Sequence, residues 1–228
     1  MTTVPQKPDP TRNLRFRLKW KEAKRMLDRL FVLAERTGKR LLNTEGVEVS
    51  LCEFFTVEAL GLSFVSLFFS PLDAELIRIG QNARGNRYVL MESPTPALAF
   101  YMRELKNLHC ALILGFAGTE DGRLFRNPTG QLSSCHMALL PDDEDWLFRG
   151  EAKPERDVVT DAKRAYANAG LGSYLGEIKE INKLGEPELR VRAEEALHCA
   201  DVAACGIGSR LMVYSLAGKS WRAGRRSA

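Results

Sequence analysis

The chain has 228 residues, of which 45% are hydrophobic and 27% charged, with a formal net charge of +4. These values are ordinary for a folded globular protein and exclude disorder of the whole chain. The longest apolar run is far shorter than the ~18 residues of a membrane span, and the N-terminal sequence lacks the layout of a secretion signal. Five cysteines in neither an even nor a closely spaced set are typical of a reducing compartment, so we expect a cytoplasmic location.

The N-terminal segment is predicted to be a flexible leader followed by a long helix. Residues 1–13 are rich in proline and polar side chains. From about Phe16, apolar residues recur at intervals of three and four, which predicts an amphipathic helix that ends at Gly38 or within residues 43–46. Residues 12–40 carry eleven Lys or Arg against three acids. The exposed basic face is predicted to hold phosphates through Arg15, Arg17, Lys21, Lys24, Arg25 and Arg29.

Residues 14–140 are predicted to form a mixed α/β domain. Strands are expected at 47–51, 63–69, 87–91 and 111–116 from their β-branched and aromatic content. Helices are expected at 72–79 and 97–108, and the pairs Asp121-Gly122 and Asn127-Pro128 indicate turns.

The composition changes after Leu140, where the acidic residues 141–157 predict a linker. Residues 158–228 follow as a helical region, with helices expected at 161–169, 174–184 and 188–204, a final strand at 211–216 and a basic tail. The predicted fold class is therefore α+β, with a mixed N-terminal α/β region that includes the long basic amphipathic helix, and a mostly helical C-terminal third.

Two glycine patterns look like nucleotide-binding loops but lack the required context. Gly218-Lys219-Ser220 has Val213 where a P-loop needs its first glycine, and only eight residues follow it. Residues 170–176 follow an alanine-rich helix instead of a strand, and a helix end with Ser173 as the next N-cap explains them better. The sequence therefore predicts no cofactor.

Each of the three histidines has a cysteine neighbour, in the pairs His109-Cys110, Cys135-His136 and His198-Cys199. Such pairs could supply ligands to a shared zinc ion, but no CxxC spacing is present. A histidine could also act as general base in RNA cleavage, although no catalytic motif accompanies it. We predict neither a metal site nor a catalytic residue, and a metal-independent endoribonuclease using His109 or His136 remains the alternative.

The C-terminal segment 205–228 indicates nucleic-acid binding more directly. Paired glycines let a backbone approach phosphate closely, and an aromatic ring between cations can stack on a base. Residues 83–87 form a second polar loop with two arginines. The candidate binding residues in these two segments are Arg84, Arg87, Gly206, Gly208, Ser209, Arg210, Lys219, Trp221, Arg222, Arg225 and Arg226.

The turn GIGSR at residues 206–210 is similar to glycine-rich loops of CRISPR RNA-binding proteins. The stretch SPTPALAFYMRELKNLHCALILGFAG, residues 93–118, resembles a segment of the compact large subunit of type IV CRISPR-Cas effector complexes. Some members of that family carry a cysteine-rich zinc module near the start, which Cys52 alone cannot supply. The resemblance implies a non-catalytic subunit at the 5′ end of the guide RNA that helps to recognise the motif flanking a DNA target.

We therefore expect a non-catalytic nucleic-acid-binding subunit of a ribonucleoprotein complex that serves antiviral defence. Its expected partners are RNA or DNA and the other subunits of the complex, with no membrane. Besides the endoribonuclease, a second alternative is a protein-interaction module whose basic helix docks an acidic partner.

Overall fold

The computed structural model describes residues 30–42, 48–59, 62–93, 109–139, 158–203 and 210–225. In chain order the strands and helices are β1 (Leu30–Leu42), β2 (Glu48–Phe54), β3 (Thr56–Ala59), β4 (Leu62–Phe68), α1 (Pro71–Asn82), β5 (Val89–Ser93), β6 (His109–Gly118), β7 (Leu124–Phe125), β8 (Ser134–Leu139), α2 (Val158–Asn168), α3 (Tyr174–Ile181), α4 (Glu186–His198), β9 (Val202–Ala203), β10 (Arg210–Ser215) and β11 (Ser220–Ala223). The predicted leader at 1–13, the predicted helix at 97–108 and the predicted linker at 141–157 lie outside these residues.

The eleven strands of the described residues belong to one mixed sheet. Its main path runs β11, β10, β6, β4, β1, β2, while β3, β5, β7, β8 and β9 pair at its sides. Strands β4 and β6 are parallel, as are β7 and β9, and the other pairs are antiparallel. Strands from both ends of the chain therefore share one sheet, because β10 pairs with β6 and β9 with β7.

The predicted fold class is wrong, because the described part of the chain is dominated by strands. The largest error concerns residues 30–38, which were expected to end a long helix and instead form β1. Leu30 to Ala34 are all buried and pair with β5, and Phe31 also pairs with Phe68 of β4. A short apolar run is compatible with a helical stripe or with a strand covered on both faces, so its spacing could not decide between them.

Gly38 was expected to stop that helix, and it instead lies where β1 becomes irregular. The register between β1 and β2 shifts between Arg36 and Arg40. Gly38 adopts φ +73° within this irregularity, a conformation that glycine accepts without a steric penalty. The earlier part of the predicted helix, with Arg15, Arg17, Lys21, Lys24, Arg25 and Arg29, lies outside the described residues.

The C-terminal third is not mostly helical, because it contributes three strands to the sheet. The predicted helices there are confirmed as α2, α3 and α4, and the predicted final strand is confirmed as β10. However, the last helix ends at His198 and not at Ala204, since Val202 and Ala203 pair with β7. Residues 220–223, expected in a basic tail, form β11 beside β10.

The core lies where the sheet meets the helices. Phe64, Phe68, Leu112 and Ile113 of the parallel pair β4/β6 are fully buried, as is Tyr166 of α2. Parallel strands covered in this way are largely apolar, and the β-branched and aromatic residues of β4 and β6 allowed both to be predicted from sequence. None of the helices in the described ranges is long and apolar enough to cross a membrane.

Candidate nucleic-acid interface

Two arginines that are far apart in sequence meet at the turn around Gly130. Arg126 follows β7, and its Nη1 donates a hydrogen bond to the Gly130 carbonyl over 3.0 Å. Arg84 follows α1, and its Nη2 lies 3.6 Å from the position that a Cβ on Gly130 would occupy. Both arginine residues are exposed. We call Arg84, Arg126 and Gly130 the arginine turn.

The 127–131 segment forms a closed turn that fixes the position of Gly130. The Asn127 side-chain oxygen accepts hydrogen bonds from the Thr129 hydroxyl (2.7 Å) and the Gln131 amide (2.9 Å). The Gly130 amide also donates to the Asn127 carbonyl over 2.8 Å. Gly130 has φ +80°, which favours glycine. The turn predicted from Asn127-Pro128 is therefore confirmed, and it presents a rigid acceptor to Arg126.

The loop that carries Arg84 and Arg87 is also held by side chains. Asn82, the last residue of α1, accepts from the Tyr88 amide over 2.9 Å and donates to the Tyr88 carbonyl over 3.2 Å. Within the loop, Gly85 reverses the chain at φ +93°. Arg84 and Arg87 are thus exposed on a short loop whose two ends are tied together.

The charge of these arginines is not compensated within the described part of the chain. Arg84, Arg87 and Arg126 take part in no ion pair there. In contrast, the neighbouring Arg123 pairs with Asp121 over 2.9 Å. The Thr119 hydroxyl, and to a lesser extent Arg123, lower the pKa of the Asp121 carboxyl, which keeps it ionised. The arginine turn and Arg87 therefore present net positive charge to solvent.

The C-terminal candidates divide between exposed cations and residues that hold the fold. Trp221 is half-buried and packs edge-on against Phe116 and Tyr214, with ring centroids 5.6 Å apart in both pairs. Its indole Nε1 donates to the Ala196 carbonyl over 2.9 Å. The contacts of Trp221 thus lie in the interior between β10, β11 and α4.

Arg222 and Arg225 connect the last strand to the helical segment. The Arg222 guanidinium donates to Glu177 over 3.0 Å and to the Ser173 hydroxyl over 3.2 Å. The Arg225 amide donates to the Ala169 carbonyl over 2.6 Å, and its exposed side chain crosses Gly170. Of the predicted C-terminal cations, Lys219 is exposed in the β10–β11 turn and has no ion pair within the described ranges.

Arg210 begins β10 opposite Gly118 of β6 and is half-buried. Its Nε atom is buried and has no hydrogen-bond partner among the described residues. Gly206, Gly208, Ser209 and Arg226 lie outside the described residues, and so does most of the predicted glycine-rich phosphate-binding loop.

The structure places Arg84 and Arg126 at the same turn. Arg126 was not among the predicted binding residues, because the only signal near it in the sequence was the turn pair Asn127-Pro128.

Four cysteines and two histidine side chains lie in the part of the chain that the structure describes. Burial raises the pKa of the Cys110 thiol to about 12 and that of Cys135 to about 11, so neither forms a thiolate at neutral pH. His136 is exposed on β8 opposite Ile113, and His198 is exposed at the end of α4. No group of three or more potential metal ligands occurs in the part of the chain that the structure describes.

Comparison of the chain with protein-family models, curated proteins and solved structures finds no match.

Proposed function

We propose that this protein binds the phosphate groups of a nucleic acid and does not cleave that nucleic acid. The observation that carries the proposal is the convergence of Arg84 and Arg126 on one rigid turn, with neither guanidinium neutralised by an acid in the described ranges. Two arginines held at one point match phosphate oxygens well, because each planar guanidinium offers paired N–H donors. The exposed Arg87 adds a third positive charge to this surface, and a polyanion such as nucleic acid is attracted by clustered positive charge.

A phosphate-based mode of binding gives affinity and orientation without reading sequence. Phosphate contacts position a nucleic acid, whereas base contacts specify it. The one aromatic residue predicted to stack on a base, Trp221, already packs on Phe116 and Tyr214. We therefore expect similar affinities for unrelated sequences of the same length at the arginine turn.

Membership of a type IV CRISPR-Cas effector complex is the narrower form of this proposal. It is supported only by the sequence resemblance at 93–118 and 206–210, much of which lies outside the described residues. In that case the protein purified from its native host should carry one discrete short RNA together with other protein subunits.

Equilibrium binding to labelled single-stranded RNA and to duplex DNA tests the proposal. The double variant Arg84→Gln with Arg126→Gln should bind both polymers at least about tenfold more weakly than the unmodified protein. The matched control is the double variant Arg164→Gln with Arg190→Gln, because these exposed arginines already pair with Asp161 and Glu194. Equal loss in both double variants would mean that only total charge matters, which would contradict a site at the arginine turn.

The same samples separate the alternatives. The endoribonuclease alternative predicts that the protein cleaves RNA in the absence of metal and that His109→Ala or His136→Ala abolishes this cleavage. That result would refute the proposal of a protein that binds without cleaving. No binding to either polymer would favour a module that docks an acidic protein.

A further inference from the structure

A second candidate site lies between helices α2 and α3, in a cavity of about 180 Å³. Its apolar wall is formed by Phe69, Leu175 and Ile178, and Gly176 leaves the wall open because it has no side chain. Lys163 from α2 and Lys179 from α3 line the same cavity. An apolar surface and two cations from different helices thus meet in one concave space.

The two lysines differ from the other basic side chains of the helical segment. Arg164, Lys183, Arg190 and Arg192 each form an ion pair with a nearby acid. Neither Lys163 nor Lys179 forms an ion pair with any residue in the described ranges. The pairing pattern of these helices therefore leaves two positive charges uncompensated where the cavity lies.

We infer that this cavity binds a small organic anion, with its apolar body against Phe69, Leu175 and Ile178 and its charged group held by Lys163 and Lys179. Ligand sites combine a mostly apolar lining with a few polar groups that fix orientation, as this cavity does. Lysine binds carboxylate and phosphate as a point charge, so either anionic group satisfies the pair. This inference does not depend on nucleic-acid binding at the arginine turn.

The size of the cavity limits the ligand to a single ring or a short branched chain. Sites for drug-sized molecules measure roughly 300–1,000 Å³, and this cavity is smaller. Phe69 forms part of the wall and is itself fixed, since it is buried and packs on Tyr166 with ring centroids 6.3 Å apart. The apolar wall is thus preformed, which favours binding because little side-chain ordering is required.

Backbone amide shifts in the ¹⁵N NMR spectrum of the full chain test the inference at the signals of Leu175 and Gly176. Benzoate and phenyl phosphate should each produce saturable shifts, whereas the neutral benzyl alcohol and the cationic benzylamine should bind at least about tenfold more weakly. Lys163→Gln and Lys179→Gln should each weaken the two anions by a similar factor. Lys183→Gln is the matched control, because that lysine pairs with Glu180 outside the cavity lining, and it should leave their affinities unchanged.

Three results would overturn the inference: no saturable shift with either anion, equal affinity for benzylamine, or equal loss in the Lys183→Gln control. Inorganic phosphate alone should cause weaker shifts than phenyl phosphate, because it lacks the apolar body. If inorganic phosphate binds as tightly as phenyl phosphate, the apolar wall plays no part and the proposed ligand class is wrong.

Discussion

The hydroxyl of Tyr166 in α2 donates a hydrogen bond to the backbone carbonyl of Leu114 in β6, over 2.7 Å. The two residues are 52 positions apart, and both are buried. This bond attaches the helical segment to a central strand of the sheet. It also satisfies a phenol that would otherwise be buried without a partner, which proteins rarely tolerate.

Tyr166→Phe should therefore lower the free energy of unfolding by about 1–2 kcal/mol, because it leaves a buried carbonyl with one partner fewer. Tyr214→Phe is the matched control. The Tyr214 side chain is equally buried, but its hydroxyl has no hydrogen-bond partner among the described residues. Urea unfolding of the two variants should give a loss for the first and no loss for the second. Equal losses would show that the Leu114 bond contributes nothing specific.

Asp73, in the first turn of α1, is fully buried, and neither of its carboxyl oxygens has a hydrogen-bond partner in the described ranges. Burial raises the pKa of Asp73 from 3.8 to about 7. The titratable groups that face Asp73 are Tyr166 and Tyr174. Their pKa values lie well above the ordinary range, mainly because both phenols are buried and also because of the nearby Asp73 charge. In these surroundings the neutral carboxyl is the stable form at acidic pH.

Asp73 should consequently make the protein less stable as the pH rises. Between pH 4 and pH 7 the folded state keeps a proton that the unfolded state loses, so the stability contributed by Asp73 is present below pH 4 and is lost by about pH 7. A shift of about three pKa units corresponds to about 4 kcal/mol. We therefore expect the free energy of unfolding of Asp73→Asn, minus that of the unmodified protein, to increase by about 4 kcal/mol between pH 4 and pH 8.

Urea unfolding at several pH values measures this difference directly. The exposed Asp201→Asn variant is the control, because it removes one carboxylate from the surface of the fold and not from its interior. Parallel stability curves for Asp73→Asn and the unmodified protein would contradict a neutral buried carboxyl.

Gly118 allows β10 to approach the end of β6. A Cβ at this position would lie 2.4 Å from Met212 Cγ and 2.8 Å from the Arg123 carbonyl oxygen. Gly118→Ala should therefore destabilise the fold by about 1–3 kcal/mol through overpacking. Gly80→Ala offers the opposite case, since its Cβ would meet nothing within 4 Å inside α1. Thermal unfolding of Gly80→Ala should show a free energy of unfolding that is higher by roughly 0.5–1 kcal/mol, because alanine has the greater helix propensity. A less stable Gly80→Ala variant or a more stable Gly118→Ala variant would refute this assignment of close contacts.

Part of this fold was predictable from local sequence. Strands β4 and β6 are rich in β-branched, aromatic and other apolar residues, and α1 begins at Pro71 with an acid in its first turn. Both kinds of element therefore carry strong local signals. The error at β1 has a non-local cause, because Leu30–Ala34 pair with β5 and Phe31 also pairs with β4, and both of these strands lie elsewhere in the sequence. Short strands such as β7 and β9 have only two residues each and no pattern of their own.

The candidate site was predictable only in part for the same reason. Arg84 and Arg87 were identified from a polar loop around Gly85, but nothing in the sequence placed Arg126 beside Arg84. Their proximity follows from the turn at Gly130, which only the three-dimensional fold brings to the end of α1. Trp221 was predicted to stack on a base because basic residues surround it in sequence. These neighbours gave no sign that its ring packs on Phe116 and that its indole donates to the Ala196 carbonyl.

The most direct test of nucleic-acid binding at the arginine turn is the salt dependence of affinity for one single-stranded RNA. Each phosphate contact that is lost reduces the slope of log K against log salt concentration by about one unit, or slightly less for single strands. The account predicts that the combined Arg84→Gln and Arg126→Gln variant has a slope shallower by about one to two units than the unmodified protein, while the Arg164→Gln, Arg190→Gln control keeps the original slope. Identical slopes for the unmodified protein and the arginine-turn variant would contradict the account, because the two guanidinium groups would then contact no phosphate.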